Sequence, residues 1–388
     1  MRTTRQITTL LDRIDWNFPG SNTFHNTVHA LHYFPGNYIP QIPAHLIQIL
    51  SDEGHVVYDP FCGSGTTGVE AIRLGRQSLQ SDINRTSVLI SEAKLIAFTD
   101  HKIGQDLFNL LDEIMLSNLL TFDKFKYSTD NSSKIERWFH KHTYNQLSFL
   151  WDKIRSYHRR ETRIVLEMLF SDTLFACAST SGSLTSTGGK RRHHWGWIAD
   201  NVIPKIPVYQ DAIALFRNRL IHTTEAINMG QDKARCTYKV FRSDARETGL
   251  QDACIDLIIT SPPYIGMIDY ALANRLHYLW KEWPLDDDKG QEIGARFKRN
   301  KKNLRDEYTA SMKVTANEFK RILKPGSYCA VVIGASRKYP EVANEVVEIF
   351  SNFLKLTWGP QIRNVSKRRI SEKRGTEITE LICVYKNQ

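Results

Sequence analysis

The run Asp59-Pro60-Phe61-Cys62-Gly63-Ser64-Gly65-Thr66 joins a short apolar segment (55–58) to a helix-like segment (67–74). A strand that passes through Gly63-x-Gly65 into a helix brings backbone N–H groups close to a bound ligand, because glycine has no Cβ atom to hold the ligand away. The helix N-terminus also favours a ligand carboxylate. We therefore interpret residues 59–66 as a cofactor-binding turn, although a tight turn without a ligand is the alternative for this run alone.

Strand-like and helix-like segments alternate on both sides of a helical middle region. Strands are predicted at 55–58, 77–81, 236–241, 255–259, 328–333 and 381–385. This alternation predicts an α/β, Rossmann-like fold with a doubly wound, mostly parallel mixed sheet. Between them, helices are predicted at 104–119, 134–157, 159–177 and 208–228. We therefore divide the chain into 1–100 (cofactor half), 101–232 (mainly helical insertion, candidate target-recognition region) and 233–388 (catalytic half).

Two acidic residues follow predicted strands. Asp82 lies 17 residues after Gly65, and a carboxylate there can accept hydrogen bonds from two ribose hydroxyls. Asp244 follows the third strand, where it can accept from an adenine amino group; a loop-capping role before Arg246 is the competing interpretation. No G-x-x-x-x-G-K-[ST] run occurs, which argues against a phosphate-cradling loop.

A second informative run, Thr260-Ser261-Pro262-Pro263-Tyr264, follows the apolar strand 255–259. The exocyclic amine of cytosine or adenine is a poor nucleophile, because its lone pair is delocalised into the ring. Ser261 Oγ and the Pro262 carbonyl can accept its N–H groups, while Pro262 and Pro263 fix the backbone. Tyr264 offers a face on which an extruded base can stack. A rigid turn without chemistry is the alternative for this run alone.

Composition restricts the class of protein. Lys and Arg number 52 against 42 Asp and Glu, so the net charge is +10 and a polyanionic partner is favoured. The six cysteines form no C-x-x-C pair, and none follows a proline, so we expect no zinc site, no disulfide framework and no thiolate-dependent methylation of carbon 5. No metal is predicted. No stretch approaches about 18 apolar residues, so we expect no membrane span and a cytoplasmic, DNA-associated location.

Basic clusters are the candidate DNA contacts. They lie at Lys190-Arg191-Arg192-His193, at 296–302 and at Lys367-Arg368-Arg369. Lys and Arg neutralise phosphates, and Arg also reads guanine. We predict DNA contacts from Lys190, Arg191, Arg192, His193, Arg368 and Arg369, with a solvated surface as the alternative for each cluster.

The chain resembles the amino-directed (N4-cytosine/N6-adenine) DNA methyltransferases. Residues 59–66 look like the cofactor motif of that family and 260–264 like its catalytic motif. The segment 32–35 resembles the motif that closes one side of the cofactor pocket, and 369–385 resembles the C-terminal strands. The resemblance spans about 30–100 and 236–385, and the insertion lies outside it.

The resemblance implies S-adenosylmethionine as the cofactor and double-stranded DNA as the partner. The predicted cofactor-binding residues are Tyr33, Pro35, Asp59, Phe61, Cys62, Gly63, Ser64, Gly65, Thr66, Asp82 and Asp244. The predicted catalytic residues are Ser261, Pro262, Pro263 and Tyr264.

The serine form of the catalytic motif is similar to that of N4-cytosine enzymes. We therefore expect a site-specific methyltransferase acting on cytosine N4 by base flipping, in a restriction–modification or related system, with a cognate restriction endonuclease as a candidate partner. The alternatives are an N6-adenine DNA methyltransferase, an RNA base methyltransferase and a catalytically silent DNA- or cofactor-binding subunit.

Overall fold

The computed structural model describes residues 2–19, 27–116, 122–178, 203–229, 236–334, 336, 338–365 and 378–388. Their strands form one seven-stranded sheet in the order β3-β2-β1-β4-β5-β7-β6. The strands are β1 (Val56–Asp59), β2 (Gln77–Asp82), β3 (Tyr238–Arg242), β4 (Ile255–Thr260), β5 (Leu323–Gly334), β6 (Lys355–Val365) and β7 (Ile378–Lys386).

The helices of the described residues cover both faces and the insertion. They are α1 (Thr4–Asp12), α2 (Gln41–Leu50), α3 (Thr66–Arg73), α4 (Arg85–Thr99), α5 (Ile103–Leu116), α6 (Ser132–Glu136), α7 (Lys141–Ser156), α8 (Arg160–Ala178), α9 (Ala212–Met229), α10 (Tyr270–Ala273), α11 (Arg275–Trp280), α12 (Leu285–Gln291), α13 (Leu304–Ile322) and α14 (Val342–Ser351). None of the described helices is long and apolar enough to cross a membrane.

Five neighbouring strands run parallel, which aligns their carboxyl ends. β1 pairs in parallel with β2 and β4, β2 with β3, and β4 with β5, while β7 is antiparallel to both β5 and β6. The apolar runs of β1 and β4 are buried on both faces, as expected for central parallel strands. The predicted doubly wound mixed sheet is confirmed. The residues that follow β1, β2, β3 and β4 therefore meet at one edge, the position where open α/β sheets bind ligands.

The insertion packs against the sheet through α4. Leu95 of α4 belongs to one apolar core with Leu107 of α5, Leu150 of α7, Leu169 of α8 and Phe216 of α9, all of them buried. The described part of 101–232 thus holds helices that close one side of the α/β core. The exact limits of the three predicted parts stay a prediction.

The C-terminal region differs from the sequence-based expectation. We predicted a strand beginning at Tyr328, but β5 begins at Leu323, because Leu323 pairs with Ile255 of β4 before a register shift that brings Tyr328 opposite Leu257. The edge strand β6 was not predicted at all. Its residues are largely exposed and include Gly359-Pro360, and its register shifts between Leu356 and Trp358 and again before Gln361, so no regular alternation marks it.

Candidate active site

A cleft opens at the carboxyl edge of the parallel strands. The turn after β1, the end of β2, the loop after β3 and the loop after β4 all contribute to it. Its lining residues are Phe34, Gly36, Asn37, Tyr38, Pro60, Phe61, Cys62, Gly63, Ser64, Thr66, Asp82, Ile83, Asn84, Asp244, Ala245, Ser261, Pro263, Tyr270, Gln291, Glu292 and Ile293.

The turn after β1 depends on two glycines in the left-handed region. Gly65 precedes α3 with φ +78°, and a Cβ atom there would lie 2.7 Å from Ser91 Oγ and 2.8 Å from Ser91 Cα. Gly63 has φ +48°, and a Cβ atom there would meet the Phe34 ring at 3.2 Å. Both positions therefore need glycine, because of the positive φ and because a side chain would collide with Ser91 of α4 or with Phe34. Gly65 is not among the residues that line the cleft, and it contributes to the turn by its backbone conformation.

Asp59 lies beneath the cleft and does not line it. Its carboxylate is buried and accepts hydrogen bonds from Thr67 Oγ1 at 2.6 Å, Thr260 Oγ1 at 2.6 Å and Phe61 N at 3.1 Å. Burial raises the pKa of Asp59 to about 6. Asp59 thus ties the end of β1 to α3 and to the end of β4, which fixes the cofactor turn relative to the loop that begins at Ser261.

Asp82 reaches the cleft from the end of β2. Its two carboxylate oxygens accept hydrogen bonds from Gly63 N at 3.0 Å and Asn84 N at 2.9 Å. Burial raises the pKa of Asp82 to about 6, although these backbone donors oppose the rise. The carboxylate is therefore held rigidly, in the position expected for an acceptor of ribose hydroxyls.

Asp244 lines the cleft and is also paired with Arg246. Arg246 Nη2 lies 2.6 Å from Asp244 Oδ2, and its Nε lies 2.9 Å from Oδ1. Burial alone would raise the pKa of Asp244, but the hydrogen bonds and charge of Arg246 outweigh burial and lower the pKa. The two interpretations of Asp244 are therefore compatible, because one carboxylate both caps its loop and faces the cleft.

The segment N-terminal to β1 contributes different residues from those predicted. Tyr33 and Pro35 line a separate, smaller pocket beside His277, while Phe34, Gly36, Asn37 and Tyr38 line the main cleft. The Phe34 ring stacks on Tyr270 with the centroids 5.8 Å apart. The backbone directs Phe34 toward the main cleft and its neighbours Tyr33 and Pro35 toward the smaller pocket. The aromatic residues of the run indicated the segment, but they did not indicate which side chains face the cofactor cleft.

The loop after β4 brings Ser261 and Pro263 to the cleft, whereas Pro262 and Tyr264 are not in its lining. Ser261 Oγ donates a hydrogen bond to the Val332 carbonyl at 3.0 Å. The serine proton is directed away, so lone pairs of Oγ are left to accept from a donor in the cleft. Tyr308 donates its hydroxyl to the Pro263 carbonyl at 3.0 Å, which anchors the loop to α13.

Tyr264 points toward β7. Its hydroxyl donates to Glu380 Oε1 at 3.0 Å, and Glu380 in turn pairs with the buried guanidinium of Arg363. Burial, and next the charge of Glu380, raise the pKa of Tyr264 well above its usual value, so the hydroxyl remains a donor. This contact was not predicted, because 116 residues separate the two side chains.

Other cleft residues also escaped the sequence analysis. Gln291 ends α12, Glu292 and Ile293 follow it, and the three residues carry no recognisable motif. Glu292 is buried and accepts from Tyr270 N at 3.1 Å and Ala271 N at 2.5 Å. Burial raises the pKa of Glu292 to about 8. A buried acid in a loop without a motif gives no pattern from which it can be predicted.

The predicted DNA contacts Lys190, Arg191, Arg192, His193, Arg368 and Arg369 lie outside the described residues. Among the residues that are described, no group of three or more His, Cys, Asp or Glu side chains has the arrangement of a metal site.

The residues of the cleft fit S-adenosylmethionine. Asp82 and Asp244 supply carboxylate acceptors for hydroxyl and amino groups, while Phe34, Phe61 and Ile293 supply apolar surface for an adenine ring. Gly63 lines the cleft at the turn that leads into α3, where the helix N-terminus favours a ligand carboxylate. Together these features match a ligand that has a polar sugar, an aromatic base and a carboxylate-bearing tail.

Comparison with known proteins finds similarity to DNA methylases. Residues 9–93 match the family model N6_N4_Mtase, described as DNA methylase. The type II methyltransferase M.MjaII of Methanocaldococcus jannaschii is 24% identical over 81% of this chain and 73% of its own length. M.MvaI of Kocuria varians is 23% identical over 70% of this chain, and M.BsoBI of Geobacillus stearothermophilus is 26% identical over 60%. The chain spans 61% and 50% of the lengths of these two relatives.

Solved structures resemble the chain only distantly. The crystal structure of TrmN from Thermus thermophilus has a TM-score of 0.34 and 12% identity, covering 93% of this chain and 52% of that one. The family model over residues 9–93 and the type II relatives support the resemblance of this chain to the amino-directed DNA methyltransferase family.

Proposed function

We propose that this enzyme transfers a methyl group from S-adenosylmethionine to N4 of cytosine in double-stranded DNA. The observation that carries the proposal is the hydrogen bond from Ser261 Oγ to the Val332 carbonyl, which leaves lone pairs of the serine oxygen available at the cleft. An amine donor is the group that such an acceptor recognises.

S-adenosylmethionine supplies a methyl group activated by its sulfonium. Ser261 accepts a hydrogen bond from the target amine, localises its lone pair and aligns it. A carbon–nitrogen bond forms as the carbon–sulfur bond breaks, and the amine then releases one proton to water. Thr260 and Asp59 hold the loop rigid, because their hydrogen bond at 2.6 Å is buried.

Cytosine is preferred because residue 261 is serine, the form that resembles N4-cytosine enzymes. The type II relatives support a role as the modification enzyme of a restriction–modification system, with an endonuclease of the same site as partner. The DNA contacts predicted at 190–193 and 368–369, and the roles of the remaining predicted site residues, belong to this proposal.

The test is mass spectrometry of nucleosides from duplex DNA incubated with the protein and isotopically labelled S-adenosylmethionine. Labelled N4-methylcytosine is the expected product. Labelled N6-methyladenine would retain the mechanism and refute the base assignment. Label confined to RNA would indicate an RNA methyltransferase, and bound cofactor without any label would indicate a silent subunit.

A further inference from the structure

A basic segment beside the cleft has no role in the chemistry above. Residues 296–302 read Arg-Phe-Lys-Arg-Asn-Lys-Lys, which places five cations and no acid in seven positions. The segment begins three residues after Ile293, which lines the cleft. We refer to it as the rim segment.

The rim segment is bonded to the loop that carries Ser261. Gly266 N donates to Gly294 O at 2.7 Å, and Arg296 N donates to Ile268 O at 3.2 Å. Phe297 N donates to Asp269 Oδ1 at 2.8 Å. These bonds fix the rim segment relative to the catalytic loop, so anything that it holds is positioned relative to Ser261.

Four of the five cations of the rim segment lack an acidic partner among the described residues, although Lys298 Nζ donates a hydrogen bond to the Gly290 carbonyl at 3.3 Å. Lys298, Arg299, Lys301 and Lys302 form no ion pair with any residue in the described part of the chain. Lys301 and Lys302 are exposed, and Lys298 is half-buried. Lys338 adds a further positive charge, because its ammonium donates to the Arg299 carbonyl and to Asn300 Oδ1 at 3.2 Å. Such a concentration of unpaired cations attracts a polyanion.

Phe297 adds an aromatic surface to these charges. The residue is 42% exposed, which is unusual for a phenylalanine. The ammonium groups of Lys289 and Lys298 lie 4.5 and 5.5 Å from the ring centroid. An exposed ring between cations is the combination that binds a nucleic-acid strand, since the ring stacks on a base while the cations meet phosphates.

We propose that the rim segment binds the DNA strand that carries the target base, with Lys298, Lys301 and Lys302 on phosphates and Phe297 on a base. This inference rests on the proposed function. An extruded base stays attached to its own backbone, so the phosphates flanking it must pass the edge of the cleft. The rim segment forms a cationic surface at that edge and is hydrogen-bonded to the loop that carries Ser261.

The test compares duplex binding by three variants in fluorescence anisotropy titrations over a range of salt concentrations. The triple variant Lys298→Gln/Lys301→Gln/Lys302→Gln is expected to bind duplex DNA about tenfold or more weakly. The slope of log K plotted against log salt concentration should be shallower by about two to three, because each lost phosphate contact removes roughly 0.9 from the slope. Phe297→Ala should weaken binding about tenfold with an unchanged slope, because stacking releases no counterions.

The matched control is Lys320→Gln/Lys355→Gln, which removes two exposed cations near the opposite, amino-terminal edge of β5 and β6. It should bind like the unmodified protein. If the unmodified protein methylates DNA and the triple variant keeps the DNA affinity and salt slope of the unmodified protein, DNA binding by the rim segment is refuted while the proposed function stands. If the unmodified protein neither binds nor methylates DNA, both proposals fail.

Discussion

The ring of Tyr264 lies against Gly334, so closely that a Cβ atom on residue 334 would come within 1.9 Å of Tyr264 Cε2. Gly334 ends β5, and Tyr264 belongs to the loop after the neighbouring strand β4. The hydroxyl of the same tyrosine donates to Glu380 of β7. Three strands therefore determine where this aromatic ring lies, and Ser261 occupies the same loop.

Substitution of Gly334 by alanine should displace the Tyr264 ring and distort the loop at Ser261. We expect kcat for methyl transfer to fall about 10²-fold, the scale of loss for a displacement of about 1 Å in a reacting group. Cofactor affinity, measured by calorimetry, should change little because Gly334 does not line the cleft.

Gly104→Ala is the control for that substitution. Gly104 lies in α5, and a Cβ atom there meets nothing within 4 Å. Its kcat should equal that of the unmodified enzyme. Unchanged turnover in Gly334→Ala would show that the position of the Tyr264 ring is irrelevant to the reaction.

Glu380→Gln should destabilise the fold. Glu380 and Arg363 have side chains only 10% and 3% exposed, and loss of one charge leaves the other buried without its partner. We expect the free energy of unfolding, measured in urea, to fall by about 3 kcal/mol. Arg305→Gln breaks an exposed pair with Glu345 and should cost far less. Equal losses of unfolding free energy in the two variants would contradict a stabilising role for the buried pair of Glu380 and Arg363.

Local signals in the sequence predicted the framework of the site. The turn at Gly63 and Gly65 and the loop at Ser261 each follow a short apolar strand, and Asp82 ends the polar strand that comes next after the glycine turn. The parallel sheet then follows from the alternation of strands with helices. These features were predictable because each depends on residues adjacent in the chain.

Contacts between distant segments were not predictable. Tyr264 and Glu380 meet only after β7 inserts between β5 and β6, and Glu292 reaches the cleft from a loop without a motif. Phe34, rather than Tyr33, faces the cleft. Tertiary packing fixes the backbone conformation of this segment and so determines which side chain points into the cleft. Such choices depend on the assembled core and leave no local pattern.

Ser261→Ala should remove the acceptor for the target amine. We expect kcat to fall about 10²-fold in a labelled-cofactor transfer assay, while affinity for the cofactor is kept. Ser351→Ala is a matched control, because Ser351 also donates to a backbone carbonyl, at 2.8 Å, but lies at the end of α14. A fully active Ser261→Ala enzyme would refute the proposed role of this hydroxyl.

Asp82→Asn should weaken cofactor binding about tenfold or more, since a carboxylate accepts stronger hydrogen bonds than an amide. Burial raises the pKa of Asp82 to about 6, so the unmodified protein should lose affinity as the pH falls below 6 and the carboxylate becomes protonated. Calorimetry with S-adenosylhomocysteine between pH 5 and pH 8 measures both effects.

The Asn variant should lack the dependence around pH 6, because an amide does not titrate. Asp286→Asn, at an exposed position of α12, should behave like the unmodified protein. A pH dependence that persists in Asp82→Asn would assign the titration to another group.

Glu292→Gln should change how stability depends on pH. Burial raises the pKa of Glu292 from 4.5 to about 8, so the folded state binds its proton more tightly than the unfolded state. The resulting stabilisation is complete below pH 4.5 and is lost as the pH rises through 8. Between pH 6 and pH 9 the unmodified protein should lose about 2–3 kcal/mol from this carboxyl.

The glutamine variant cannot titrate, so this loss should be absent from its urea unfolding curves over the same pH range. Glu348→Gln removes an exposed carboxyl on α14 and should reproduce the profile of the unmodified protein. If Glu292→Gln and the unmodified protein lost stability in parallel, Glu292 would be ionised already at pH 6. Its bonds to Tyr270 N and Ala271 N would then be those of a carboxylate, and a fixed negative charge would lie beside the cofactor cleft.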